Sequence, residues 1–387
     1  MRISVLFLFT FLLISAPVSA QMIRSSHIDS SGMAPFWQIE SVLLKDAEPD
    51  LGQWNALFDT PAYQILLAGG FSKKLFEQQL RLAFMPSKAL ELTKELDEDN
   101  DNTAYLHHYL RIRGNEAEMK KQQAQLGKER LIETALSMAK GFLPDSFQYD
   151  NSLPPVSFIV YENATLRAPT GIIIDLLFSM DFKPYLPYLI AHEAYHFYLE
   201  KINKYTLPDN HQRDYPILQA LDQLETEGIA DQIDKKKFFL SKGLFANYQW
   251  AKSYQYYLTN TPKVIQQLDE FFIHLAMFPQ SDTQIITDIV PMNGHPTGYF
   301  MAKAIIDKMG KRELIKQTAN PFAFIRLYQQ VALKSKKKYP TFSDITMQYL
   351  SKLEKKYFPP KTKGAQQPKP TSPKLMWYEK DKVVNNW

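Results

Sequence analysis

Residues 189–199, Leu-Ile-Ala-His-Glu-Ala-Tyr-His-Phe-Tyr-Leu, set two histidines four apart with a glutamate between them inside an apolar run. No other segment restricts what the chain can build as tightly. On a helix, residues four apart share a face, so His192 and His196 can offer two imidazole nitrogens to one metal ion. Glu193, one residue further round, can reach a water held at that place and take its proton. Pro184 and Pro187 fit the start of such a helix, and Leu189, Ile190, Phe197 and Leu199 would bury it on both sides of the pair. The competing reading is two core histidines satisfied by carbonyls. With eight histidines in 387 residues, chance gives the H-E-x-x-H pattern in roughly one such chain in a hundred, which favours the metal.

A catalytic zinc takes three protein ligands and leaves one position open. The third is expected in Leu224-Glu225-Thr226-Glu227-Gly228-Ile229-Ala230-Asp231, after a helix start at Asp214-Tyr215-Pro216. There the stripe Leu221, Leu224, Gly228 and Asp231 faces inward with Glu227 beside it, and a glycine lets a second helix approach the first closely. Asp231, four residues beyond Glu227, can hold the outer nitrogen of a ligand histidine and fix its tautomer. Glu225 points about 160° away from Glu227 on a helix, which makes it solvated and the fallback ligand.

His192-Glu193-x-x-His196 followed by Glu227-Gly228-Ile229-Ala230-Asp231 resembles the gluzincin metallopeptidases, the thermolysin-like clan whose third ligand is a glutamate on a later helix. It is also similar to a set of secreted, uncharacterised zinc-dependent peptidases. The resemblance covers about residues 155 to 300. It implies a peptidase with Zn2+ on His192, His196 and Glu227, Glu193 as the base and Asp231 behind the ligands. The thirty-one residues from His196 to Glu227 exceed the thermolysin spacing, so the intervening loop and the subfamily stay open.

Downstream, Asn293-Gly294-His295-Pro296-Thr297-Gly298-Tyr299 reads as a turn leading into an apolar helix. Attack on an amide develops an oxyanion, and thermolysin-like enzymes stabilise it with a His or Tyr donor from a later element. If Pro296 starts the helix, His295 and Tyr299 both project from its first turn toward the cleft. The alternative is a histidine that caps the helix and a tyrosine that packs in the core.

Pro155–Tyr161 and Gly171–Leu177 are short, rich in β-branched and aromatic residues, and separated by a polar stretch, so they read as two strands able to pair antiparallel. An exposed edge of that sheet could bind an extended peptide through its main chain. Elsewhere apolar residues recur at helical spacing: Trp37–Leu44, Leu51–Phe58, Phe71–Phe84, Ser87–Leu96, Thr103–Arg113 and Glu116–Ala139, then Tyr254–Leu258, Val264–Phe278, Tyr299–Met309, Pro321–Leu333 and Ser343–Tyr357. Pro61, Gly69-Gly70, Pro86 and Gly114-Asn115 punctuate the first set. The expected fold is predominantly α with a small antiparallel β-sheet beside the active-site helix, a zincin-like α+β core. Its parts are a signal peptide (1–20), an N-terminal helical region (21–150), the catalytic core (151–240), a C-terminal helical region (241–358) and a tail (359–387).

Met1-Arg2, the apolar run Ile3–Ile14 and Val18-Ser19-Ala20 have the charged start, apolar core and small-residue cleavage site of a secretory signal. Export to the periplasm or the extracellular space is expected, with no transmembrane span once the signal is removed, and the alternative is an uncleaved N-terminal anchor. The chain has no cysteine, which excludes disulfides, lipoprotein anchoring, thiol catalysis and Cys-based zinc sites. Six lysines against Glu379 and Asp381 in the Pro-rich tail account for the net charge of +4, so the basicity belongs to a solvated, disordered end, and no nucleic-acid footprint is present. Asp97–Asn102 alternates acids like a calcium loop but lacks the Gly and Glu such a loop needs, and the adjacent His107 and His108 diverge on a helix. Nucleophile-elbow, Walker and dinucleotide patterns are missing. The residues therefore describe an exported peptidase acting on a peptide or protein substrate. The alternatives are a zinc-stabilised envelope binding protein without activity, or a zinc aminopeptidase.

Overall fold

A computed structural model describes residues 27–98, 101–127, 130–202, 207–240, 249–335 and 338–358. The signal-like segment, Asp99 and Asn100 of the acidic run, and the tail lie outside the described residues. The chain is predominantly helical with one small sheet, as its periodicity predicts. None of its described helices is long and apolar enough to cross a membrane.

After a two-residue strand, β1 (Ile28–Asp29), come seven helices: α1 (Met33–Leu43), α2 (Leu51–Phe58), α3 (Pro61–Ala68), α4 (Lys73–Phe84), α5 (Ala89–Leu96), α6 (Asp101–Leu126) and α7 (Leu131–Lys140). Asp50 caps α2 in a reciprocal box with Gln53. Pro61 starts α3 instead of ending a helix, because the amide it lacks is one that a first turn leaves unused. Gly114-Asn115 does not break α6 either. A mid-helix glycine costs only about 1 kcal/mol against alanine, and Leu106, Tyr109, Ile112, Met119 and Leu126 on the same helix are buried. The chain turns later, past Leu126.

The sheet adds β2 (Val156–Ile159), β3 (Thr165–Ala168) and β4 (Gly171–Asp175) in the order β1-β2-β4-β3. It is mixed. The two strands expected to pair antiparallel, β2 and β4, run parallel, with Val156 opposite Ile172. The polar stretch between them is itself a strand: β3 pairs antiparallel with β4, so the chain reverses twice and β4 returns in the direction of β2. Every residue of β2 and β4 is buried, which explains their unbroken apolar runs, whereas β3 is the half-exposed edge.

Beyond the sheet follow α8 (Leu176–Asp181), α9 (Leu186–Ile202), α10 (Tyr215–Phe238), α11 (Gln249–Met277), α12 (Ile285–Ile289), α13 (His295–Met309), α14 (Lys311–Lys316), α15 (Pro321–Lys334) and α16 (Asp344–Tyr357). Asp175 ends β4 and caps α8 by accepting the Phe178 amide at 2.9 Å, while His108 closes on its other oxygen at 3.1 Å. The segments expected as two helices around Pro262 are the single helix α11. Burial of Val264, Ile265, Leu268, Phe271 and Phe272 offsets the roughly 3 kcal/mol that an internal proline costs.

Helices α10 and α13 cross with their backbones in contact. A Cβ built on Gly228 would lie 2.4 Å from the carbonyl carbon of Gly298, and one on Gly298 would lie 2.2 Å from the Leu224 oxygen. Gly228 therefore serves the approach of α13 and not, as its neighbourhood in sequence suggests, that of the His-bearing helix. Gly228→Ala should lower stability by about 1–3 kcal/mol through overpacking, although helix propensity alone would raise it by about 1 kcal/mol. Thermal unfolding separates the two signs, and a variant melting above wild type would show that the backbones are not in contact.

Candidate metal centre

Helix α9 carries His192, Glu193 and His196, and begins with Pro187 in its first turn after a 3-10 turn at Lys183–Tyr185. Ile190, Ala191, Ala194, Tyr195, Tyr198 and Leu199 sink it into the main core and leave both imidazoles facing α10. On α10, Pro216 lies in the first turn and Glu227 reaches back to the histidines. The His192 and His196 Nε2 atoms are 3.1 Å apart, and Glu227 Oε2 is 3.3 Å from the first and 3.2 Å from the second. All three residues are buried.

Ligands about 2.0–2.1 Å from a tetrahedral zinc stand about 3.3 Å from one another. The three atoms thus already stand about one tetrahedron edge apart. The charges fit as well. Glu227, Asp231 and Asp234 are buried carboxylates on one helix and Lys235 is the buried ammonium among them. With neutral histidines these groups leave two negative charges to balance, as many as one divalent cation supplies.

Electrostatics at the site follow from the same excess. Burial and Lys235 both oppose a charge on His192, but Asp234 and a hydrogen bond with Glu227 outweigh them and push its pKa up to about 10. Burial resists ionising Glu227, yet His196 and His295 hold it well below the usual carboxylate range. Burial likewise opposes charge on Lys235, and Asp231 and Asp234 overcome it and raise its pKa. The surrounding carboxylates thus favour a proton on His192 and on His295.

Behind the histidines the acids are arranged on two turns of α10. Asp234 Oδ1 lies 3.4 Å from His192 Nδ1, whereas Asp231 Oδ1 lies 3.8 Å from it. Asp231 Oδ1 is instead 3.0 Å from His295 Nδ1, and its Oδ2 accepts the Tyr254 hydroxyl at 3.0 Å. Lys235 Nζ bridges the two acids, 2.8 Å from Asp234 Oδ2 and 3.3 Å from Asp231 Oδ1.

His295 arrives through a strained turn. Met292, Asn293 and Gly294 all have positive φ, at 50°, 49° and 86°. The two non-glycine residues cost roughly 1–2 kcal/mol each in that region. A Cβ on Gly294 would also press on the Gln223–Leu224 backbone at 3.0 Å. The reversal starts α13 against α10 and brings His295 Nε2 to 3.5 Å from Glu227 Oε2. Tyr299, one turn on, is buried with its ring edge-on to Tyr254 at 6.3 Å. Burial and then Asp231 push its pKa up to about 12.

Glu193 sits at the rim of the cluster, and Arg167 of the edge strand β3 approaches it, Nε to Oε2, at 3.6 Å. The same guanidinium pairs with Glu200, two turns further along α9. Glu225 differs from expectation. It is fully buried on the other side of α10, accepts the Asn320 amide at 3.2 Å, and burial raises its pKa well above normal. The chain around Ala319-Asn320 covers the face that the helix geometry leaves open to solvent.

Four residues of the cluster escape the motif reading: Asp234, Lys235, Tyr254 and Arg167. Asp234 is seven residues, two helical turns, beyond Glu227, so its spacing carried a signal. Tyr254 and Arg167 come from other elements and carry none. Lys235→Met should leave Asp231 and Asp234 buried without their cation and cost about 3–5 kcal/mol of unfolding free energy in the metal-free protein, measured by denaturant titration. A loss below about 1 kcal/mol would mean that the carboxylates do not need it.

The family profile described as Putative zinc dependent peptidase (DUF5700) matches residues 54–337. No curated protein and no solved structure matches the chain. The match spans most of the sequence and takes in every residue of the cluster, from Arg167 to Tyr299. The chain belongs to this family.

Proposed function

We propose that the protein is an exported zinc metallopeptidase of the gluzincin type, with His192, His196 and Glu227 as the metal ligands. The observation that carries this reading is the spacing of His192 Nε2, His196 Nε2 and Glu227 Oε2, 3.1–3.3 Å apart around a buried point. Export rests on the signal-like pattern of residues 1–20. Bound zinc would polarise a peptide carbonyl and lower the pKa of an attacking water.

The protein's own groups supply the rest. Glu193, next to His192 and partly open to solvent, takes the proton from the water and passes it to the departing amide nitrogen. Arg167 holds that carboxylate at the rim. His295, whose Nδ1 is engaged by Asp231, presents Nε2 toward the cluster and donates a hydrogen bond to the oxygen on which charge develops. Tyr299 is the second donor that sequence position suggests; its place beside Tyr254 favours His295 for the role. The edge strand β3 has its partner β4 on one side, and its Arg167 reaches Glu193. An extended peptide laid along the other side of β3 by main-chain hydrogen bonds would pass the base.

Digestion of a peptide library, read by mass spectrometry with and without chelator, tests the reaction directly. Cleavage should disappear with chelator and return with added zinc. Glu193→Gln should keep stoichiometric zinc and lose about 10²–10⁴ of the rate, whereas His196→Ala should lose zinc and activity together. Metal-loaded wild type that cleaves nothing in the library would leave a zinc-stabilised binding protein as the reading, and Glu193→Gln at wild-type rate would remove Glu193 as the base.

A further inference from the structure

The spacing of Glu227 and Asp231 marks Asp231 as the residue behind a metal histidine, but the atoms are arranged otherwise. Asp231 is already engaged. Its Oδ1 faces both His295 Nδ1 at 3.0 Å and Lys235 Nζ at 3.3 Å, and its Oδ2 takes the Tyr254 hydroxyl. A carboxylate oxygen has two lone-pair directions, so Oδ1 has little left for His192 Nδ1 at 3.8 Å. Asp234 is the complement. Lys235 binds its Oδ2, which leaves Oδ1 turned to His192 Nδ1 at 3.4 Å. Those two atoms are buried and neither has another hydrogen-bond partner among the described residues. A shift of a few tenths of an ångström closes the bond.

Resting on the zinc-peptidase reading above, we propose that the two aspartates divide the work: Asp234 orients His192 toward the metal, Asp231 orients His295 toward the reacting carbonyl, and Lys235 keeps the two carboxylates turned apart. Both are positioning residues, since each acts through a histidine. An imidazole whose Nδ1–H is held by a carboxylate presents Nε2 in one direction and in one tautomer, and losing such a partner commonly costs 10–100-fold in metal affinity. The division makes the two losses separable. Asp234 governs how tightly the metal is held, and Asp231 governs the turnover of enzyme that already holds it.

The test titrates zinc into metal-free full-length protein against a chromophoric chelator, and measures kcat and KM at saturating zinc on a peptide cleaved by wild type. Asp234→Asn should weaken zinc by about 10–100-fold. Asp231→Asn should shift zinc affinity by less than about threefold and lower kcat by at least about tenfold with KM nearly constant. On a His295→Ala background, Asp231→Asn should cost nothing further in kcat, because its effect runs through that ring. Equal zinc losses in the two aspartate variants, or an undiminished effect of Asp231→Asn without His295, would overturn the division. If an asparagine variant does not fold, Asp234→Glu and Asp231→Glu keep the charge and displace it by one methylene, and the same separation, at about threefold or more, is required of them. Wild type that takes up no zinc would instead bring down the peptidase reading and this one with it, a result distinct from wild type binding zinc while the variants fail to separate.

Discussion

Besides Glu225 on its other side, helix α10 buries three carboxylates, Glu227, Asp231 and Asp234, and the arrangement around them answers that charge. Taking an ion out of water costs several kcal/mol even after the protein relaxes, so each carboxylate needs a charged or hydrogen-bonding neighbour. Glu227 receives His192 and His196 from α9, Asp231 receives His295 from α13 and Tyr254 from α11, and Asp234 shares Lys235 with Asp231. Four helices are thus tied together by one charge problem. The same excess of negative charge suits a divalent cation at the point where the nitrogens of His192 and His196 and the Glu227 oxygen converge.

Geometry follows from how closely α13 can lie on α10. The Gly228–Gly298 contact removes two side chains, so the backbones touch and His295 stands within reach of both Glu227 and Asp231. The left-handed turn at Met292, Asn293 and Gly294 aims the first residue of α13 back at the cluster. Such strain persists only where surrounding contacts over-determine it, and here the Gln223–Leu224 backbone lies directly against the turn. The β3–β4 hairpin carries Arg167 to Glu193.

Local chemistry made much of this legible. The helical spacing of His192 and His196, the prolines at both helix starts and the Glu227-Gly228 segment identify two elements and three of the converging side chains. The helix-rich remainder follows from 3.6-residue periodicity. Local signals misled where burial outweighs them: Gly114 and Pro262 read as breaks yet lie inside long helices whose apolar faces are covered, and Glu225 reads as solvated because the helix wheel shows nothing of Asn320 packing over it. The parallel pairing of β2 with β4 was hidden because β3 is short and polar, with a burial pattern set by its edge position.

By itself the sequence determined which side chains are able to meet a cation, because ligand type and a four-residue spacing are properties of one helix. Tertiary structure decided what stands behind them. Asp231 and Asp234 sit on the same inward side of α10 and have the same chemistry, so only the positions of Lys235, Tyr254 and His295 set which acid faces which histidine. Those positions depend on the close crossing of α10 and α13 and on the path of α11. That is a matter of distances between elements far apart in the chain, which no local pattern encodes.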